Sequence, residues 1–317
     1  MTMAATDRSP QGAYIQLKDL LDLRFRRLKL IHTPHQAQSS VMAGSYRTSI
    51  RGRGIDFAEV RQYQAGDDVR AIDWRVTART GTTHTKLYTE ERERPVIIFC
   101  DQRYNMFFGS KTRFKAVQAA NLASLLAWSY QANGDRVGGL VANSVEHKEF
   151  RPKQNNAAVL RLLNAIHQCN HQLTAKEQPK NIINLNLLIA SLRRIAKPGS
   201  AVYLISDFID FDDDTAKQLS LLSRHCDVQA LCVTDPLERR LPKSGNYKVV
   251  SLGRSARVNA GNSYNRSAYE GKFIERQQAL EKALHELNIN LLQISTEDDP
   301  HDVLHRYLAA SPKKVRS

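Results

Sequence analysis

Carboxylates are the residues of this chain whose types and spacing could do chemistry. Asp101 closes the apolar run Val96-Ile-Ile-Phe-Cys100, and Asp207 follows a second such run, Ala201-Val-Tyr-Leu-Ile205. Two acids at the ends of buried strands offer oxygen ligands to a hard cation such as Mg²⁺, which takes oxygen donors and keeps several waters. A denser group lies between Gly52 and Glu93. There Asp67, Asp68 and Asp73 alternate with Arg61, Arg70 and Arg79 around a Gly-Asp-Asp turn, with Tyr63 and Trp74 between them. Taken with Asp101 and Asp207, these acids are what a metal-dependent phosphodiester or nucleotide hydrolase would use, and that reading stands as one alternative. Arginine forks match carboxylates and lie on aromatic rings, so the stretch is expected to form a partly buried ion-pair lattice that specifies structure.

Other candidates are thinner. The acidic run Asp207–Asp214 lacks the spacing, mid-loop glycine and closing glutamate of an EF-hand, and reads instead as helix capping by Asp212. The pairs His32 with His35 and His301 with His305 have no third ligand nearby, so zinc is not expected. No G-x-S-x-G, Walker A or dinucleotide-binding glycine pattern occurs. Gly138-Gly139 sits inside a strand pattern and marks close backbone packing.

The signature stretch carries a resemblance. Gly54, Phe57, Glu59, Arg61, Tyr63, Gly66, Asp67, Asp68, Arg70, Ile72, Asp73, Trp74, Ala78 and Arg79 together read G-x-x-F-x-E-x-R-x-Y-x-x-G-D-D-x-R-x-I-D-W-x-x-x-A-R. This closely resembles the signature of the domain of unknown function 58 family. The resemblance implies a von Willebrand factor A-like domain after the signature, and a partnership with MoxR-type AAA+ ATPases. It also implies where a metal-ion-dependent adhesion site would lie. In such domains a D-x-S-x-S loop, a distant threonine and a second strand-end aspartate hold Mg²⁺. Here Asp101 and Asp207 keep the acids, but Arg103 and Asn105 stand at the serine positions, and Ile183 and Asn184 stand at the threonine. A guanidinium beside two carboxylates supplies the charge a metal would bring. The site is therefore expected to be degenerate, with no cofactor and no bound Mg²⁺.

These residues need elements to position them. Phe57–Tyr63 suits a strand, and Val69–Trp74 a helical turn capped by Asp68. Tyr14–Ile31 reads as an amphipathic helix with Leu17, Leu20, Leu21, Leu28 and Ile31 on one face, stopped by Pro34. From Val96 onward apolar strands alternate with helical patterns, which predicts a doubly wound, mostly parallel α/β sheet of von Willebrand factor A type. Strands are expected at Arg136–Val141, Val145–Phe150, Val228–Val233, Lys248–Leu252 and Asn290–Ile294, and helices at Thr112–Gln131, Asn156–His167, Asn184–Ile195, Asp212–His225 and Tyr269–Leu287. The expected division is a disordered N-terminus (1–13), a helix-plus-signature segment (14–94), the α/β domain (95–311) and a basic tail (312–317).

The 317 residues carry a formal net charge of +14, so an acidic partner or nucleic acid has to be considered. The basic residues are interleaved with acids along most of the chain, and the densest patch, Glu238–Arg266, reads as a solvated loop face. Nucleic-acid binding is kept as a further alternative and is not expected. The four cysteines show no C-x-x-C spacing, no apolar leader opens the chain, and no run approaches the roughly 20 apolar residues of a membrane span. A cytoplasmic location is expected. The preferred function is a non-enzymatic adaptor that works with a MoxR-type ATPase on an unknown client. Its contact residues would come from the signature and from a sheet-edge face made by Asp101, Arg103, Asn105 and Asp207.

Overall fold

Helix α1 (Leu17–Asp22) comes first among the elements and runs on as a 3-10 turn over Leu23–Arg26. It belongs to a computed structural model of the chain that describes residues 12–28, 55–64, 69–90, 94–174, 183–251 and 254–310. The described residues fall into two compact units, one of Met1–His32 with Arg94–Ser317 and one of Thr33–Glu93.

The smaller unit pairs β1 (Ile55–Gln62) antiparallel with β2 (His84–Glu90), with a bulge between Phe57 and Glu59. A 3-10 turn at Val69–Ala71 leads into helix α2 (Trp74–Thr80). The 3-10 turn lies within the helical turn expected over Val69–Trp74, whose expected cap Asp68 is outside the described residues, and α2 is a further helix with Asp73 as its N-cap. Asp73 Oδ1 accepts hydrogen bonds from the N–H groups of Arg75 (3.0 Å) and Val76 (3.2 Å), which satisfies two of the donors a helix start leaves open. Gly81 ends α2 at φ 72°, where a side chain would be strained.

The larger unit follows as β3 (Pro95–Asp101), α3 (Lys115–Ala132), β4 (Arg136–Ala142), β5 (His147–Lys153), α4 (Asn156–His171), α5 (Leu185–Ile195), β6 (Ala201–Ser206), α6 (Asp213–Ser223), β7 (Asp227–Thr234), α7 (Pro236–Arg239), β8 (Asn246–Ser251), β9 (Arg254–Asn259), α8 (Ser263–Glu286), β10 (Asn290–Ser295) and α9 (Pro300–Ala310). Six strands form one sheet in the order β10-β7-β6-β3-β4-β5, parallel except for β5, which pairs antiparallel with β4. This is a mixed α/β fold with a mostly parallel central sheet. Helices cover both faces, so β3 and β6 are continuous apolar runs rather than alternating ones. One buried cluster joins α3, α4 and α9 to one face, and a second joins α5, α6 and α8 to the other.

Two features of β4 and α1 follow from close packing. A Cβ on Gly138 would lie 2.4 Å from Phe150 O, and one on Gly139 would lie 2.3 Å from Ile98 O, so the glycines admit neighbouring backbone. On α3, Ser124 Oγ and Trp128 Nε1 both donate to Leu20 O at 2.7 and 3.1 Å, a carbonyl in the last turn of α1. Ile15, Leu20, Leu23 and Leu28 are buried there. The first helix was expected to be longer and to group with the signature. It is shorter, and it belongs to the sheet unit, because its leucines find α3 and α4. Ile31 lies outside the described residues.

The strand expected near Lys248 exists as β8, but it pairs with β9 in a separate hairpin and is not part of the main sheet. Helix α8 starts at Ser263, ahead of the expected Tyr269, because Asn262 caps it by accepting from the Tyr264 N–H at 2.9 Å.

Candidate functional site

In strand order the sheet reverses direction beside β3, whose neighbours are β4 and β6. The crevice outside the C-terminal ends of β3 and β6 is the place where open α/β sheets assemble sites. Asp101 is the last residue of β3, and Asp207 follows β6 directly. Phe208 comes next at φ 51°, a conformation that a bulky residue holds only when its surroundings fix it.

The Asp101 carboxylate is buried. Its Oδ1 accepts from the Arg103 backbone N–H (2.9 Å) and Nε (3.0 Å), and its Oδ2 accepts from Arg103 Nη2 (2.9 Å) and Ser206 Oγ (2.6 Å). The far side of the same guanidinium meets Asp210. Nη1 donates to Asp210 Oδ2 at 2.6 Å and to Ile183 O at 2.9 Å, and Nη2 donates to Asp210 Oδ1 at 3.0 Å. Arg103 is thus a fork held between two carboxylates, with its side chain 1% exposed. Burial opposes its charge, and the Asp101 and Asp210 carboxylates more than offset that, holding its pKa above the ordinary arginine value.

A second cation completes the crevice. Lys115 Nζ donates to Asp207 Oδ2 at 2.7 Å and to Glu238 Oε1 at 2.6 Å, and its side chain is also 1% exposed. Asn105 Nδ2 and the Ile209 N–H donate to Asp207 Oδ1 at 2.7 and 3.1 Å. Burial alone would raise the Asp207 pKa, but Lys115 beside it holds the carboxyl below its usual value. Lys115 is displaced upward, since burial works against its charge while Asp207 and Glu238 favour it.

Glu238 Oε2 accepts from the Asp235 N–H at 3.0 Å, and Asp235 accepts from the N–H groups of Ser110 and Leu237 (both 2.9 Å) and from Thr296 Oγ1 (2.7 Å). Polar bonds therefore tie the C-terminal ends of β3, β6, β7 and β10 together.

The sequence reading placed Asp101, Arg103, Asn105 and Asp207 together, and the structure does the same. It also expected them to form a face open to a partner, which the burial corrects: Asp101, Arg103 and Asp207 are interior. Lys115, Asp210, Glu238 and Ser206 were missed. A divalent ion does not fit this donor set. The carboxylate oxygens a metal would need already accept from Arg103 and Lys115, and the Ile183 carbonyl, at the expected threonine position, accepts from Arg103 Nη1.

The signature residues lie in the smaller unit. Gly54, Gly66, Asp67 and Asp68 fall outside the described residues, as do His32 and His35. Phe57 and Glu59 lie on β1, as does Arg61, and Tyr63 follows that strand. Trp74 is 69% exposed, and Arg70 and Arg79 are exposed as well. The expected partly buried lattice does not enclose Trp74 and Arg79, which α2 turns outward.

At the other end of the chain His301 and His305 stack with ring centroids 6.1 Å apart on α9. Among the described residues no cluster of three or more His, Cys, Asp or Glu is placed to hold a metal, and no helix is long and apolar enough to cross a membrane.

A family model described as "Protein of unknown function DUF58" matches residues 59–279. Two uncharacterized proteins, from Mycobacterium tuberculosis and Mycobacterium bovis, are each 28% identical over 215 residues, which is 68% of this chain and 66% of theirs. The chain therefore matches just under two thirds of the length of these curated relatives. Among solved structures, a conserved hypothetical protein BatB from Bacteroides thetaiotaomicron is similar at 13% identity over 68% of this chain and 97% of that one, with a TM-score of 0.41. A von Willebrand factor type A protein from Catenulispora acidiphila is similar at 14% identity over 48% and 35%, with a TM-score of 0.30.

Proposed function

The chain belongs to the DUF58 family of proteins of unknown function, and from that premise we propose that it is a non-catalytic protein-interaction module, an adaptor that works with a MoxR-type AAA+ ATPase in assembling or activating another protein complex. The observation that carries the reading is the outer face of α2. Trp74, Arg75, Ala78 and Arg79 recur at helical spacing, and all four are exposed. Arg70, on the turn before the helix, is exposed too. Tryptophan and arginine dominate the energetics of protein interfaces, and a large aromatic left in water favours being covered. The choice of a MoxR-type ATPase as partner is supported by the resemblance of the signature alone. The crevice at Asp101 and Asp207 is assigned no metal and no catalytic role, because its carboxylates are engaged by chain-borne cations.

Substitution on α2 tests this reading. Trp74→Ala and Arg79→Glu should leave the thermal midpoint within about 2 °C of the parent, as exposed positions do. The same variants should weaken a complex with the ATPase by about thirtyfold, the effect of an interface hot spot. Undiminished affinity in both would remove α2 from the interface.

A further inference from the structure

We propose that Arg103 and Lys115 act as a pair of permanent, chain-borne cations that do at this sheet's switch point the structural work of a divalent ion, so that the C-terminal crest is locked without metal. Three observations carry the inference, and none of them depends on the adaptor reading. The first is donor count. A guanidinium has five N–H donors, and all five of those on Arg103 are used within the crevice: Nε on Asp101, Nη1 on Asp210 and Ile183 O, Nη2 on Asp101 and Asp210. Nothing on it remains to bind a ligand, and it already supplies the positive charge between the two acids.

The second is the position of Lys115. It is the first residue of α3, an 18-residue helix, where the peptide dipoles favour an anion and disfavour a cation. A lysine buried there breaks both that preference and the rarity of buried lysines. The break is explained by two carboxylates, Asp207 and Glu238, closing on Nζ from β6 and α7. A local rule broken where a compensating contact sits marks a built feature of the fold.

The third is the backbone at Phe208. Its positive φ lies in the short turn between Asp207 and Asp210, the acids that face the two different cations. The Phe208 N–H donates to Ser206 Oγ at 3.2 Å, and that hydroxyl itself donates to Asp101. Arg103 joins β3 to the turn after β6, and Lys115 joins that same turn to α3 and α7. A metal at such a place clamps strand ends through shared oxygens; here two side chains do so with defined reach.

The test uses the full chain, with thermal unfolding followed in excess EDTA and in millimolar Mg²⁺ or Mn²⁺, beside Lys115→Met and Arg103→Met. The parent midpoint should be the same in all three media. Each variant should unfold about 6–20 °C lower in EDTA, the range for a buried charge stripped of its partner. A divalent ion should recover part of that loss, because each change leaves buried carboxylates without a cation and hard ions take oxygen ligands. A parent midpoint that rises with Mg²⁺ or Mn²⁺, and no longer does so in Asp207→Asn, would overturn the proposal. So would a Lys115→Met protein as stable as the parent in EDTA. Should the variants not fold, Mn²⁺ paramagnetic resonance on the parent decides: free ion alone supports the lock, and ion bound in a manner abolished by Asp207→Asn refutes it.

Discussion

Replacing Asp210 with alanine separates the ion network from its surroundings. The change removes the acceptors for Arg103 Nη1 at 2.6 Å and Nη2 at 3.0 Å, and it leaves Asp101 as the remaining carboxylate on a guanidinium 1% exposed. It also removes the acceptor for the Leu185 N–H, at 2.9 Å, which is the first donor of α5. Stranding one side of a buried pair costs about 3–5 kcal/mol, and losing a helix-start acceptor costs about 1 kcal/mol. Asp210 is not fully enclosed and Arg103 keeps Asp101, so a total loss of about 3–4 kcal/mol is expected, a fall in midpoint of about 6–16 °C. Asp210→Asn retains one acceptor oxygen and should lose about half as much. Circular dichroism with heat and with urea reads both variants. High salt should not erase the difference, since screening reaches exposed charges far more than buried ones. An Asp210→Ala protein within about 0.5 kcal/mol of the parent would show that the network holds nothing together.

Three further outcomes follow from the same geometry. The lowered Asp207 pKa adds stability that is complete above the unfolded value, about 3.9, and is lost as pH falls through the folded one; with Lys115 raised, the pair's contribution should be flat from about pH 5 to 9, and Asp207→Asn should shrink the acid limb of a midpoint-against-pH curve. Gly139→Ala would force a Cβ to 2.3 Å from Ile98 O, so unfolding should cost about 1–3 kcal/mol less than in the parent, measured by urea titration. Asp73→Ala should lose at least about 1 kcal/mol, the worth of a helix cap, as seen in the thermal midpoint; a midpoint equal to the parent's would mean that the cap contributes nothing.

Much of the fold was legible because its signals are local. The short runs at Val96–Cys100 and Ala201–Ile205 are continuously apolar, as strands covered on both faces are; Asp101 closes the first strand and Asp207 follows the second. Arg103 was legible as the partner of Asp101 because it lies two residues away on the same loop. Lys115 and Glu238 were not, since the contacts from Lys115 to Asp207 and Glu238 span 92 and 123 residues. A signal for each was present nonetheless: a lysine opening a long apolar helix, and the capping pattern Asp235-Pro-Leu-Glu238. Trp74 was placed in a partly buried lattice because aromatics among charges suggest burial, while it opens α2, a helix the local pattern did not announce, and is exposed there. Helix α1 was drawn too long because its leucine spacing continues past Arg26, where the chain has already left the helix.

The central claim, that this chain is an adaptor for a MoxR-type AAA+ ATPase, is tested most directly by titration calorimetry of the full chain against such an ATPase purified from the same source. A saturable complex of defined stoichiometry is predicted, with a dissociation constant in the micromolar range or tighter and weakened by Trp74→Ala. No saturable heat at concentrations well above that range would contradict the account.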